Sequence, residues 1–378
     1  MKSDSSRRKF LATGLSLPVA GMASTRMPAA LSLAAQGPSY RVLGKTGQKV
    51  TSVGFGCMIT SDPSVISRAL DMGVTYFDTA RSYQKGNNER MVGAAIKAGR
   101  SKITLSSKAN LKTGAEALQA LDTSLQELGT DHLDIWYMHG KDKPDQITDD
   151  LVAAWESAKK QGKIRFIGLS THDPNAVVDR ILQVGKIEVV LSTYNFTMST
   201  TRDAALQRLK DAGVGLVAMK VMAAAGGRRG EAPPPPPPEG RHLAALKWVL
   251  NKPLFATTIP SMTDTDQLET NFRAMAESFD PDDQKLLAVL NEEVRPYYCR
   301  MCYQCSGQCP QCVPVADTIR YLAYNDFYGQ FALGREHFLA LPEEIRKVRC
   351  SDCSTCAIKC PNGVQVRDRL IRAQEMFA

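Results

Sequence analysis

Eight short apolar or β-branched runs, separated by stretches of helical periodicity, constrain the fold of this chain more than anything else in it. The runs lie at 50–56, 75–78, 103–107, 133–138, 166–169, 189–192, 215–220 and 255–260. Between them, stretches such as 114–128 and 149–161 carry apolar residues at helical spacing, with Gly or Lys near their ends. Eight strands alternating with helices over this length predict a closed (β/α)8 TIM barrel of the α/β class, and the competing layout is a doubly wound sheet. A dinucleotide fingerprint would favour the open sheet. No G-x-G-x-x-G stands between a strand and a helix, so the barrel is the expectation.

The chain is longer than one barrel requires. Its 378 residues leave room for a second, smaller unit, and 43% hydrophobic with 23% charged residues is a globular composition. No apolar run reaches the length of a bilayer span, which excludes a multi-pass membrane protein and predicts no stable membrane span. The formal charge is +8, and half of it comes from the first 35 residues, where Lys2, Arg7, Arg8, Lys9 and Arg26 face only Asp4. The remainder is mildly basic and has no Lys/Arg run interleaved with aromatics, so no nucleic-acid partner is expected.

The extra length is explained by cysteines. Cys299, Cys302, Cys305 and Cys309, followed by Pro310, spell C-x2-C-x2-C-x3-C-P, and Cys350, Cys353, Cys356 and Cys360, followed by Pro361, repeat it. This is the run that holds a pair of 4Fe-4S clusters, with the fourth thiolate of each frame crossing to the other cube. Cys299, Cys302 and Cys305 are then expected to share one cluster with Cys360, and Cys350, Cys353 and Cys356 the other with Cys309. Disulfides and zinc are the competing uses of paired cysteines, and neither accounts for two copies of a four-cysteine frame closed by Pro. Cys57 reads as a small core residue and Cys312 as a spare thiol. Residues 314–341, between the frames, read as helical, with Tyr321, Tyr324, Tyr328 and Phe331 as packing residues. The six prolines at 233–238 read as a stiff exposed insertion after the seventh strand.

Residues 1–35 have the layout of a signal peptide: a basic stretch, a short apolar segment from 11 to 23, then small residues. Arg7-Arg8 followed by Phe10 and Leu11 resembles the twin-arginine export motif, with Ala12 where lysine is usual. The expectation is export, to the periplasm or beyond, by machinery that moves folded proteins with their cofactors already loaded. The chain then divides into 1–35 (signal), 36–285 (barrel) and 286–378 (ferredoxin-like iron–sulfur domain).

Four polar residues stand at or just beyond the ends of strands two to four: Asp78, Tyr83, Lys108 and His139. In a barrel such strand ends meet at one mouth. Reducing a carbonyl by hydride requires an acid for the forming alkoxide. A free tyrosine, with a pKa of about 10, is helped in that role by a neighbouring ammonium that an aspartate holds in place.

At these residues the sequence resembles the aldo-keto reductase family, through VGFGCM, FDTARSY with NNE, LSSKAN, DIWYMHG and IGLSTH over about 40–280. The resemblance implies that Tyr83 is the acid, that Lys108 and Asp78 tune it, and that His139 shapes the oxyanion position. It also implies a nicotinamide cofactor, NADP or NAD, held by Ser170, Thr171, Met219, Lys220, Ser261, Gln267 and Asn271. Ser261 and Gln267 replace the cations that usually clasp the 2′-phosphate, Asp264 and Asp266 add negative charge there, and Leu191 and Met219 replace a Gln and a stacking Tyr. The tail resembles the dicluster ferredoxin-like extension of some bacterial members. The expected function is a carbonyl/alcohol oxidoreductase acting on a small substrate, with two 4Fe-4S clusters that serve an electron-transfer partner. The competing reading is an exported electron-transfer or binding protein on a barrel that no longer uses free NAD(P)H.

Overall fold

In the computed structural model, residues 37–198, 201–225 and 240–378 are described. The twin-arginine segment and the proline run at 233–238 lie outside them.

An antiparallel hairpin, β1 (Tyr40–Val42) and β2 (Lys49–Thr51), precedes the barrel. Eight parallel strands follow: β3 (Phe55–Gly56), β4 (Tyr76–Asp78), β5 (Thr104–Ala109), β6 (Leu133–Met138), β7 (Ile164–Thr171), β8 (Val189–Thr193), β9 (Gly215–Met219) and β10 (Thr257–Thr258). They pair in chain order from β3 to β10. Bridges Val53 to Thr258 and Gly56 to Ser261, both parallel, bring the last strand back to the first and close the barrel. The closure is tight: a Cβ on Gly56 would sit 2.5 Å from the Ile259 carbonyl oxygen, so only glycine fits there.

The expected run at 50–56 is therefore two elements. Its first half pairs with β1 in the hairpin that plugs the N-terminal end of the barrel, where Leu43 joins Val50, Tyr76, Ile135, Tyr137, Val189, Leu191 and Val217 in the interior core. Lys45 N donates to Gly213 O across this plug at 2.8 Å.

Between the strands run α1 (Pro63–Asp71), α2 (Asn87–Ile96), α3 (Gly114–Leu128), α4 (Asp149–Lys160), α5 (Pro174–Val184), α6 (Thr201–Asp211), α7 (Arg241–Leu250) and α8 (Thr265–Arg273). Their starts are chemically marked. Asp62 caps α1, Thr113 and Glu116 form a reciprocal capping box on α3, and Thr148 caps α4. Each buries one apolar face on the sheet. Trp155 of α4, for example, stacks on Trp136 at 4.5 Å between centroids and donates its indole N–H to the Trp136 carbonyl at 2.7 Å.

The helix α9 (Pro281–Val294) spans the expected boundary at 285 and packs with Leu287, Leu290 and Val294 against Ala244 and Ala245 of α7. The stretch at 314–341 is two helices rather than one. α10 (Val315–Asp326) ends before Gly329, which takes a left-handed turn (φ 67°), and α11 (Phe331–Leu339) folds back along it. A short α12 (Glu343–Lys347) leads to the second cysteine frame, and α13 (Val366–Phe377) closes the tail. Asp326, fully buried, joins α10 to α13 through Arg369 and Arg372.

Candidate active site and iron–sulfur frames

The barrel's strand ends open on a cavity of about 530 Å³ lined by Asp78, Tyr83, Lys108, Met219, Lys220, Ser261, Gln267 and Asn271, among others. Phe327 and Tyr328, from the tail, complete its wall.

Asp78 ends β4, and its carboxylate accepts from Lys108 Nζ on the next strand at 2.5 Å and from Ser106 Oγ at 2.8 Å. Lys108 also donates to the Thr79 carbonyl at 2.9 Å, which fixes its ammonium under Tyr83, 4.9 Å from the ring centre. Burial alone would pull Lys108 below the usual lysine range, but Asp78 and Tyr83 outweigh it and the ammonium is held more tightly than normal. Burial is also the largest influence on Tyr83, and Asp78 adds to it. Lys108 opposes both, and the phenol ends up pushed to about 12. The ammonium therefore limits the rise rather than reversing it, and Tyr83 carries its proton at neutral pH. His139 is neutral: burial, then the Lys108 charge, hold it well below its usual value. A neutral imidazole can donate a hydrogen bond to a carbonyl oxygen without carrying charge.

The turn that carries Tyr83 is held by residues that the sequence reading left without roles. Arg81 N donates to Lys108 O at 2.9 Å, and its guanidinium bonds Glu89, whose carboxylate also accepts from Ser107 Oγ at 2.6 Å. Asn88 accepts from Thr79 Oγ1 at 2.6 Å and donates to the Cys57 carbonyl at 2.9 Å. Glu89 and Asn88 are both fully buried. Their signal was the NNE triplet within the motif.

The residues expected to hold a nucleotide divide in two. Met219, Lys220, Ser261, Gln267 and Asn271 line the cavity. Ser170 and Thr171 end β7 but do not: Ser170 Oγ accepts from Gly140 N at 2.9 Å, and Thr171 Oγ1 donates to Asp142 at 3.1 Å. Gln267 is turned back on the start of its own helix, where it donates to Thr263 Oγ1 and Asp264.

The tail sits on this mouth. Arg202 of α6 donates to the carbonyls of His172 at 2.6 Å, of Arg300 at 3.2 Å and of Met301. Arg320 of α10 lies against His172, and Tyr303 OH bonds Asp142 at 3.3 Å. Lys220 Nζ lies over the rings of Tyr324 and Tyr328.

All ten cysteines are free thiols. Burial pushes Cys299 up to about 12, and the sulfurs that add to this are Cys305, Cys302 and Cys360. Burial pushes Cys350 to about 11, with Cys309, Cys353 and Cys356 beside it. Cys305, Cys302 and Cys360 thus lie near Cys299, and Cys309, Cys353 and Cys356 near Cys350. Among the described residues no three His, Cys, Asp or Glu side chains converge as one metal ion would need. A cube places each thiolate on a different iron, so the donor set fits clusters. Met301 and Tyr303 take left-handed backbone between the first three cysteines, and Met301 N and Asn362 Nδ2 point at the sulfurs of Cys299 and Cys302 at 3.4 and 3.3 Å.

Residues 61–243 match the aldo/keto reductase family, and residues 298–364 match a 4Fe-4S dicluster domain. The barrel is similar to those of aldo/keto reductases. L-galactose dehydrogenase of Arabidopsis thaliana is 32% identical over 209 residues, which is 48% of this chain and 65% of that protein. An uncharacterised oxidoreductase of Bacillus subtilis is 31% identical over 168 residues, 40% of this chain and 55% of its own. The chain thus spans 55 to 65% of the length of these curated relatives. An aldo-keto reductase of Bacillus halodurans, solved in its holo form, superimposes with a TM-score of 0.59 at 25% identity, covering 67% of this chain and 96% of that one.

Proposed function

We propose that this chain interconverts a carbonyl and an alcohol in the barrel cavity by hydride transfer with a nicotinamide cofactor, and that its tail holds two 4Fe-4S clusters for electron transfer. The observation that carries the reading is the Asp78–Lys108–Tyr83 group at the wall of a 530 Å³ cavity at the strand ends. The type of the barrel and the relatives' names, a dehydrogenase and an oxidoreductase, support it.

In the reducing direction Tyr83 gives its proton to the forming alkoxide. With the phenol held near 12, it keeps that proton until charge develops on the substrate oxygen, which approaches the basicity of an alkoxide. Lys108 then stabilises the phenolate left behind, and Asp78 keeps Lys108 charged and in place. His139, neutral, orients the carbonyl oxygen by a hydrogen bond. A bound nicotinamide cofactor would supply or take the hydride, and Met219, Lys220, Ser261, Gln267 and Asn271 are the lining residues that would hold it. Cys299, Cys302, Cys305 and Cys360 would hold one cluster, and Cys350, Cys353, Cys356 and Cys309 the other; such clusters pass single electrons. Export by the twin-arginine route, with both clusters loaded first, is part of the same proposal.

The test is anaerobic purification of the full chain with its iron, followed by titration with NADPH and NADH under intrinsic fluorescence. Saturable quenching with either, together with reduction of an aldehyde, is the expected result. Absence of binding at millimolar concentration of both refutes hydride transfer from a free nicotinamide.

A further inference from the structure

One of the residues expected to hold the cofactor is placed for a further task. Lys220 follows β9 directly, in left-handed backbone (φ 55°) that side chains other than glycine adopt at a cost. The turn aims its ammonium at the tail, 4.8 Å from the Tyr324 ring centre and 5.5 Å from that of Tyr328. Its remaining surface lines the cavity shared with Asp78, Tyr83 and Lys108.

Among the described residues no carboxylate pairs with it. Asp78 is engaged by Lys108, and Asp142 and Asp317 by Arg320. The groups that face Lys220 are the cations Arg320 and Lys108 and the phenol of Tyr324. Burial is the largest influence and loosens its hold on its proton; the Tyr324 phenol, next in size, opposes this, and the two cations add to it. Aromatic faces attract a cation without neutralising it, and a charge taken out of water is ordinarily paired. Among the described residues no anion balances it, and its open side is the cavity.

Two molecules could bring that negative charge, the substrate and the nucleotide's pyrophosphate. Ser261 and Gln267, the residues expected at the nucleotide's 2′-phosphate, and Asn271 beside them come from the β10 end and α8. Lys220 instead neighbours the catalytic Lys108 and the tail aromatics. Phe327 and Tyr328 provide an apolar shelf at the same wall.

We propose that Lys220 is the receptor for a carboxylate or phosphate on the substrate itself, so that this site acts on carbonyl compounds and alcohols that carry a negative charge. The inference rests on the carbonyl reading above and adds the substrate class to it. The tail has a defined part in it, because the rings of Tyr324 and Tyr328 cover one side of this half-buried ammonium and Arg320 keeps its surroundings positive.

The test uses the full chain with its clusters and two matched pairs of probes, 4-formylbenzoate and 4-oxobutanoate, each against its methyl ester. A charge-assisted contact in a dry site corresponds to roughly a 10- to 100-fold preference for the acid in kcat/KM. Lys220→Met is expected to bring that ratio near one by raising KM for the acids, and Lys220→Arg to restore most of it. A Lys220→Met variant that keeps the preference overturns the proposal. So does one that loses only NADPH affinity, equally with every substrate, since the anion would then be the nucleotide's. If the wild type reduces none of the four aldehydes, the carbonyl reading fails on its own. Calorimetric binding of 4-formylbenzoate against its ester, to wild type and Lys220→Met, then still decides the anion site: tighter binding of the acid that Lys220→Met abolishes supports it, and equal binding overturns it.

Discussion

Replacing Asp78 with Asn isolates what the ion pair under Tyr83 contributes. Both partners of the pair are 2% exposed, so solvent screens neither of them. The substitution keeps the shape and leaves Lys108 as a buried charge without its counter-ion, a change that costs about 3–5 kcal/mol. With an unfolding entropy of about 2.1 cal/mol/K per residue over the barrel and tail, that lowers the melting temperature by roughly 4–7 °C. The pH dependence carries the sharper signature. In the wild type Lys108 is held above its unfolded value, so its contribution is complete below about pH 10 and is lost only as pH rises through the raised folded value. In the variant, burial is no longer opposed by Asp78, and the folded value falls below the unfolded one. The variant therefore gains stability as pH rises between those two values. The gap between the proteins is expected to be full at pH 7 and narrower at pH 10, followed by far-UV circular dichroism during heating of the cluster-loaded chain. A gap under about 1 °C at pH 7, or one that widens at pH 10, would refute the reasoning.

Tyr83→Phe is expected to lower kcat by about 10²–10⁴ while leaving the melting temperature within a degree or two, as read by steady-state aldehyde reduction and a thermal scan. Asp326→Ala removes the carboxylate between Arg369 and Arg372 that joins α10 to α13, and at about 3–5 kcal/mol it should open the tail first. Limited proteolysis C-terminal to residue 300 and loss of the cluster absorbance, with the barrel still folded, are the expected readouts. Arg202, 3% exposed, lies beside Cys302 and Cys299. A buried cation there favours the more negative, reduced cluster. Arg202→Met should thus lower one of two reduction potentials in an EPR-monitored titration and leave the other in place.

The barrel was legible because its strands lie in short runs rich in apolar and β-branched residues that are almost wholly buried, at a regular spacing with helical stretches between them. The first run misled because 49–51 and 55–56 are both β-favouring and buried. Which of them enters the wall depends on what each pairs with, β1 or β4, and pairing leaves no mark on periodicity. Asp78, Tyr83 and Lys108 could be placed together because each lies at or just beyond a strand end, where topology alone brings them to one mouth; His139, just past β6, feels the Lys108 charge but does not line the cavity. The contacts that seat the tail could not be placed this way. Arg202 reads as an ordinary helical arginine, yet its acceptors include carbonyls 98 and 99 residues away. Arg320 reads as one more charge on α10 and meets His172 across 148 residues. The 314–341 stretch is helical as its spacing suggests, and the break at Gly329 becomes a hairpin through the packing of α11 and α13 on α10.

The placement of the tail also bears on how hydride and single-electron chemistry would meet. A hydride carries two electrons and a 4Fe-4S cluster accepts one, so a nicotinamide would exchange electrons with these clusters only through a carrier, such as a flavin, that takes a hydride, releases its proton and passes the electrons on singly. The two frames are not equivalent with respect to the cavity. Lys220 and Tyr328 line it, and they also line a small gap whose other wall includes Cys299 and Tyr298. One layer of side chains thus separates the first frame from the substrate's place, and Tyr298, joined to Asn195 of the barrel at 3.3 Å, is part of that layer. In the second frame Ser351, Asp352, Ser354 and Thr355 are exposed, and Arg349 and Lys359 beside them have no ion pair among the described residues. A positive, solvent-facing loop suits an acidic one-electron carrier, through which association would be steered at low ionic strength. The order that follows is cavity, Cys299 group, Cys350 group, partner. Raising salt should slow electron exchange with such a carrier while leaving aldehyde reduction by NADPH at the cavity largely as it was.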